Sequence, residues 1–188
     1  MPVYVNTFFE ERVQDLFNLA DLVEQIFASA GLEYRVVGGL AAYLYVEEVA
    51  PDAGRLTKDI DIAIRREDLD KIVKACQPFG LEYRHTAGVD MLVRKDQPSA
   101  RRAVHLIFAG EKVRPEYYEP TPDLGERQTL RGIRLISLTD LIHMKLTSFR
   151  AKDEAHLKDM DEAGLLTPEI EATLSPALLQ RLAAVRAR

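Results

Sequence analysis

Two aspartates separated by one isoleucine lie in an apolar, β-branched stretch, and this pair constrains the fold more than any other feature. The stretch covers residues 57–62 and reads TKDIDI. Because side chains alternate along a strand, Asp59 and Asp61 leave the same face about 7 Å apart, while the isoleucines face a core. Like charges repel at this spacing and strands disfavour Asp. A divalent cation such as Mg²⁺ between the two carboxylates would account for the pair.

A second feature is the glycine pair Gly38 and Gly39, which follows a short apolar run and precedes a stretch of helical character. Backbone N–H groups at the start of a helix can bind phosphate, and glycine lets the phosphate approach closely. A plain strand-to-helix turn with a positive φ would also explain the pair. The two aspartates further along the chain favour the phosphate interpretation.

Composition excludes several classes of protein. The 188 residues carry a net charge of −5, which argues against a nonspecific nucleic-acid binder. The single Cys76 lies among apolar residues and predicts a buried thiol without an internal disulfide. The first residues lack the positive start of a signal peptide, and no apolar run approaches the ~20 residues of a membrane span. The sequence therefore predicts a cytoplasmic protein without a membrane segment.

The order of strand and helix patterns predicts an α+β fold with a mixed sheet. The predicted strands span residues 33–37, 58–64, 81–86, 89–94, 103–108 and 133–137. The predicted helices span 8–30, 40–46, 66–77, 137–149, a following stretch to 163, a short start at 167–169, and 176–186. Residues 111–127 are a proline-rich loop. We divide the chain into an N-terminal helix packing on the core (1–32), the core (33–137) and a C-terminal helical segment (138–188), together one compact unit.

The Gly-Gly turn, the Asp-x-Asp strand and a later helix with Lys145 and Lys152-Asp153 resemble the nucleotidyltransferase superfamily, the polymerase-β-like fold. Residues 33–165 are most similar to the bacterial group of AbiEii-type toxins and minimal nucleotidyltransferases. The resemblance implies a nucleotidyltransferase-like mixed sheet flanked by helices, with a helical C-terminal extension. It implies Mg²⁺-dependent transfer of a nucleoside monophosphate from a nucleoside triphosphate to an acceptor hydroxyl, with Mn²⁺ as a second candidate ion. It also implies a toxin–antitoxin or defence context with a partner protein.

The resemblance assigns roles to individual residues. Asp59 and Asp61 would hold the metal, and Gly38 and Gly39 would admit the triphosphate. Many members carry Ser or Thr after the second small residue, where this chain has Leu40, and Thr57 is a candidate to supply the missing hydroxyl. The residues that would neutralise the triphosphate are Lys145, Arg150 and Lys152.

The third carboxylate of the family would align with His105. Imidazole is a poor ligand for Mg²⁺ and better suited to Zn²⁺ or Mn²⁺, whereas a neutral His can act as a general base. Four interpretations stay open. His105 takes the acceptor's proton, the site binds nucleotide without turnover as a regulatory module of a two-protein system, Asp90 supplies the third carboxylate, or His105 is structural. The acceptor could be RNA, a protein or a small molecule.

Overall fold

The structure, a computed structural model, describes residues 4–187, with side chains from residue 13 onward. The strands are β1 (Arg35–Val37), β2 (Ile60–Ile64), β3 (Leu81–Thr86), β4 (Val89–Arg94), β5 (Val104–Phe108), β6 (Gln128–Leu130) and β7 (Ile133–Leu135). The helices are α1 (Tyr4–Ser29), α2 (Gly38–Val49), α3 (Leu69–Cys76), α4 (Leu138–Ser148), α5 (Ala151–Glu162), α6 (Pro168–Glu171) and α7 (Pro176–Arg186).

The strands form one sheet in the order β3-β4-β5-β2-β1-β7-β6. β2 pairs parallel with β5 and antiparallel with β1, and β1 pairs parallel with β7. The two hairpins, β3-β4 and β6-β7, form the ends of the sheet. The sheet is therefore mixed and flanked by helices, with further helices at the C-terminal end, which confirms the predicted α+β class.

The central strand β2 is buried along almost its whole length. Ile60, Ile62, Ala63 and Ile64 have no exposed surface, and only Asp61 is partly open to solvent. The isoleucines belong to a single large apolar cluster that extends from Leu16 to Val185. Asp61 thus lies at the one position where the face of the central strand is not covered.

A buried arginine on β7, the strand next to the edge, connects α1 to the sheet. Arg134 of β7 donates to the Glu24 carboxylate at 2.8 Å and lies over the ring of Tyr34, 4.4 Å from its centroid. Tyr34 also donates to Glu24, at 2.7 Å, and burial raises the pKa of its hydroxyl. The two hydrogen bonds from Tyr34 and Arg134 satisfy the Glu24 carboxylate of α1.

Most predicted elements are confirmed, several of them with ends shifted by a few residues; α2, for example, spans Gly38–Val49 and not 40–46. The hairpin 81–86 and 89–94 and the helix 176–186 have the predicted bounds. The Asp-x-Asp strand begins at Ile60, so Asp59 precedes it, and the predicted helix 66–77 starts with a 3-10 turn before α3. The short edge strand β6 was not predicted. Cys76 is buried as predicted, and burial raises the pKa of its thiol to about 11.

Among the helices of the described residues, none combines the length and the apolar character needed to cross a bilayer.

We expect Ile62→Ala to lower the free energy of unfolding by about 2–5 kcal/mol, because it leaves a cavity behind the central strand. Val49→Ala is the control, since Val49 is 53% exposed at the end of α2, and it should change stability by less than about 0.5 kcal/mol. Urea denaturation of both variants measures the difference. Equal effects would mean that β2 is not the centre of the core.

Candidate functional site

A cleft of about 1160 Å³ opens along the exposed side of β2 and β5. It is also bounded by the start of α2, the loop after β5, and residues of α4 and α5. Its lining includes nine residues singled out from the sequence: Gly38, Asp59, Asp61, Asp90, His105, Lys145, Arg150, Lys152 and Asp153. Gly39 and Thr57 lie beside each other next to this lining, since Gly39 follows Gly38 and Thr57 contacts Asp59. The fold therefore gathers all these residues around one space.

Strand pairing brings the two aspartates and the histidine together. In the parallel pairing of β2 with β5, Asp61 lies opposite His105. His105 Nδ1 is 3.2 Å from Asp61 Oδ1 and 3.6 Å from Asp59 Oδ2. One potential ligand atom from each of the three residues lies within 4.8 Å of the other two. This donor set, two carboxylates and an imidazole, is suited to a divalent cation.

The His105 ring is held by a backbone group on its other side. Nε2 lies 3.0 Å from the carbonyl oxygen of Ala100, in the turn before β5, and donates to it. The hydrogen bond to Asp61 and the negative charges of Asp61 and Asp59 raise the pKa of His105, against the opposing effect of burial. Sequence reasoning missed Ala100, because any residue can offer a carbonyl oxygen.

Gly38 is needed where α2 begins, because the carboxylate of Asp61 occupies the space of a side chain there. Its φ is +67°, and a Cβ atom at Gly38 would lie 2.0 Å from Asp61 Oδ2. Val37 precedes the helix and makes no side-chain cap. The start of α2 therefore lies directly against the Asp61 carboxylate, in the lining of the cleft.

Thr57 orients Asp59. Its hydroxyl donates to Asp59 Oδ1 at 2.6 Å. A Cβ atom at Gly39 would lie 2.8 Å from the Thr57 Cβ, so this second glycine makes room for the threonine. The hydroxyl proposed from the sequence as a phosphate contact is thus committed to a carboxylate in this structure.

Lys145 lies at the floor of the cleft, not at its rim. Its side chain is 3% exposed, and its ammonium donates to Asp153 Oδ1 at 3.4 Å and to His156 Nδ1 at 2.9 Å. Burial lowers the pKa of Lys145, and the charges of Asp153 and Asp61 oppose that shift. Sequence reasoning did not identify the contact with His156, which depends on the turn between α4 and α5.

Asp153 connects the buried Lys145 with two residues at the junction of α4 and α5, Ser148 and Arg150. It accepts hydrogen bonds from the Ser148 hydroxyl at 2.8 Å and from Arg150 Nε at 2.7 Å. Burial would raise the pKa of Asp153, but the Arg150 hydrogen bond and the Lys145 charge lower it. Arg150 and the exposed Lys152 are two further cationic side chains that line the cleft.

Asp90 also borders the cleft, but its side chain leaves the other face of the sheet from the two aspartates. It pairs with Leu106, one position along β5 from His105, so its side chain leaves the opposite side. Tyr83 and His85 bind its carboxylate at 2.5 and 2.9 Å. The structure therefore places His105, and not Asp90, beside the two aspartates.

Comparison with solved structures shows a nucleotidyltransferase fold. An antigenic nucleotidyltransferase-like protein from Paracoccidioides brasiliensis is 20% identical, with a TM-score of 0.59 over 93% of this chain and 89% of that one. ANT(2")-Ia in complex with adenylyl-2"-tobramycin is 14% identical, with a TM-score of 0.50 over 91% and 98% of the two chains. The lincosamide antibiotic adenylyltransferase LnuA, lincomycin-bound, is 15% identical, with a TM-score of 0.51 over 80% and 96%.

No protein-family profile matches the chain, and no curated protein is significantly similar to it in sequence. The structural likeness confirms the predicted superfamily fold at the level of architecture. The narrower resemblance to the AbiEii-type toxins stays a prediction.

We expect Gly38→Ala to destabilise the protein and to disturb the Asp61 carboxylate, because the new Cβ would overlap Asp61 Oδ2. Gly132→Ala is the control: Gly132 has a φ of +80° and nothing within 4 Å of a Cβ. The control isolates backbone strain, about 1 kcal/mol. Gly38→Ala should cost about 2 kcal/mol more and weaken stabilisation by Mn²⁺, measured by thermal melts with and without the ion. Equal effects of the two variants would contradict the close contact.

We also expect stability to fall between pH 6.5 and 4 through His156. Burial and the Lys145 charge lower its pKa from 6.5 to about 4, so the unfolded chain binds the proton more readily in this window. The free energy of unfolding is thus highest above pH 6.5 and decreases toward pH 4, on the order of 3 kcal/mol for this group. His156→Asn keeps an acceptor for Lys145 and should remove this part of the pH dependence in denaturant titrations. A variant with an unchanged profile would show that His156 is not buried in its neutral form.

Proposed function

We propose that this chain is a nucleotidyltransferase that moves a nucleoside monophosphate from a nucleoside triphosphate to an acceptor hydroxyl. One observation carries the proposal: the start of α2 at Gly38 meets the carboxylate of Asp61 beside Asp59. A phosphate-binding helix start and a cation-binding carboxylate pair then share one cleft. Phosphoryl-group transfer depends on these two functions acting on the same phosphates.

The residues present suit a divalent cation. Asp59 and Asp61 offer hard oxygen ligands, and Thr57 fixes the orientation of the first of them. Two carboxylates alone suit Mg²⁺, and Mn²⁺ is the alternative ion. When bound, such an ion would neutralise charge on the phosphate that is transferred.

The chain's own groups would position the triphosphate. The N–H groups at Gly38 and Gly39 would donate to phosphate oxygens, since the helix dipole favours negative charge there. Arg150 and Lys152, at the start of α5, would attract the phosphates electrostatically. Lys145 contributes its charge from below, and its contacts with Asp153 and His156 hold it in place.

In the reaction, the acceptor oxygen forms a bond to the α-phosphorus while the bond to the β-phosphate oxygen breaks, and pyrophosphate leaves. The acceptor's proton must pass to a base. His105 Nδ1 is oriented toward the carboxylates and could receive that proton, but its lone pair cannot at the same time bind a cation.

The comparisons support the transfer of nucleotides at the level of the fold, since two of the similar structures are antibiotic-modifying enzymes by name or bound product. RNA, a protein and a small molecule all stay candidate acceptors. A toxin–antitoxin or defence context, with a partner protein, rests on the sequence resemblance to AbiEii-type toxins.

A non-catalytic nucleotide-binding module is the second candidate. The observation that favours it is the contact of His105 with Asp61, where the imidazole in its protonated form neutralises a carboxylate. Such a module would bind nucleotide without releasing pyrophosphate.

Thermal unfolding with each nucleoside triphosphate, with and without Mg²⁺ or Mn²⁺, tests the proposal. A nucleotide at 100 times its Kd should add about 2.7 kcal/mol of apparent stability. We expect cation-dependent stabilisation by one nucleotide in the wild type and its loss in Asp59→Asn/Asp61→Asn. Asp70→Asn is the control, because Asp70 is exposed on α3 and does not line the cleft.

Pyrophosphate release separates the two candidates. Release that depends on Asp61 supports the transferase, whereas stabilisation without release supports the binding module. Stabilisation that survives in the double variant would show that nucleotide binds elsewhere.

A further inference from the structure

The two ring nitrogens of His105 have different surroundings. Nε2 lies 3.0 Å from the carbonyl oxygen of Ala100. A carbonyl oxygen can only accept, so Nε2 carries a proton and, in the neutral ring, Nδ1 carries the lone pair. That lone pair is directed at the carboxylates of Asp61 and Asp59. A lone pair opposite two anionic oxygens is unfavourable, so Nδ1 either carries a second proton, which makes the ring an imidazolium, or faces a cation held among the three groups.

The same arrangement is typical of histidines that bind metals. Such a histidine usually donates its second N–H to a backbone carbonyl or a carboxylate, and this bond fixes both the tautomer and the ring orientation. Here the hydrogen bond to Ala100 has that function. The accepting carbonyl belongs to the 3-10 turn Ala100–Arg102, just before β5. The backbone therefore fixes one side of the His105 ring, while the other side faces the Asp61 carboxylate.

The spacing of the donor atoms agrees with this interpretation. Nδ1 is 3.2 Å from one Asp61 oxygen and 3.6 Å from one Asp59 oxygen. Neighbouring ligands around a cation with bonds of about 2.1 Å lie about 3.0–3.4 Å apart, in octahedral or tetrahedral geometry. Only small side-chain movements would bring the three atoms to one ion.

We infer that His105 is a third ligand of the cation rather than the base, and that this Asp-Asp-His site selects Mn²⁺, or a later first-row divalent ion, over Mg²⁺. Imidazole bonds more strongly to such ions than to Mg²⁺, which prefers oxygen ligands throughout. The inference rests on the cation site of the proposed function. It implies that the acceptor's proton leaves by another route, such as solvent.

The test measures cation binding directly, without turnover. We would titrate the metal-free protein with Mn²⁺ and with Mg²⁺ by calorimetry, and record pulsed electron paramagnetic resonance of the Mn²⁺-loaded protein for coupling to a ligand nitrogen. The variants are His105→Asp, which offers an oxygen, and His105→Asn, which offers no imidazole. Metal-free thermal melts check that each variant folds.

His85→Asn is the control. His85 also lies 2.9 Å from an aspartate, Asp90, but on the other face of the sheet and without a second carboxylate in the group. It should leave the affinity for Mn²⁺ and the nitrogen coupling unchanged.

We expect nitrogen coupling in the wild type and its loss in both His105 variants. His105→Asp should lower the ratio of Mn²⁺ to Mg²⁺ affinity by about tenfold. Mn²⁺ binding without nitrogen coupling, or an unchanged ratio in His105→Asp, would overturn the inference and leave the transferase proposal intact. The absence of binding by either ion, with nucleotide also present, would overturn the inference and the cation-dependent part of the proposed function together.

Discussion

The candidate site depends on one row of paired residues that crosses three neighbouring strands. Val37 of β1 pairs with Asp61 of β2, which in turn pairs with His105 of β5. The chain leaves β1 directly after Val37 and enters α2 at Gly38, so the helix starts against the Asp61 carboxylate. A slip of one residue in either pairing would turn Asp61 or His105 to the other face. The isoleucines of β2, which have no exposed surface, hold the register because a slip would place them in the cleft.

The sequence contained the parts of the site whose signals are local. The alternation of Asp59, Ile60 and Asp61 predicted one polar and one apolar face, and the Gly38-Gly39 pair predicted the tight start of α2. The β3-β4 hairpin is likewise local, because a two-residue turn at Ala87 and Gly88, both at positive φ, separates its strands. The edge strand β6 was missed because Gln128–Leu130 is short and polar, and its pairing with β7 depends on the turn at Arg131 and Gly132, both at positive φ.

Contacts that depend on the exact path of a turn could not be predicted in the same way. The bond of Thr57 to Asp59, the bond of His105 to the Ala100 carbonyl, and the contact of Lys145 with His156 each depend on how a turn folds back. Lys145 illustrates the consequence. The sequence predicted a helix lysine directed at a triphosphate, and the structure shows an ammonium fixed by its own helix hairpin. Its charge acts on the cleft from a position that a flexible surface lysine would not keep.

Two histidine–aspartate pairs in this fold show why a short contact alone does not make a site. His85 and Asp90 are as close as His105 and Asp61, but they lie on the exposed hairpin with Tyr83 as a further donor to the same carboxylate. Every group around Asp90 thus satisfies a single negative charge. Around Asp61, a second carboxylate, a helix start and an imidazole with one nitrogen fixed by the backbone converge instead. Negative charge there exceeds what one imidazole can balance, and the excess is what would draw a divalent cation into the cleft.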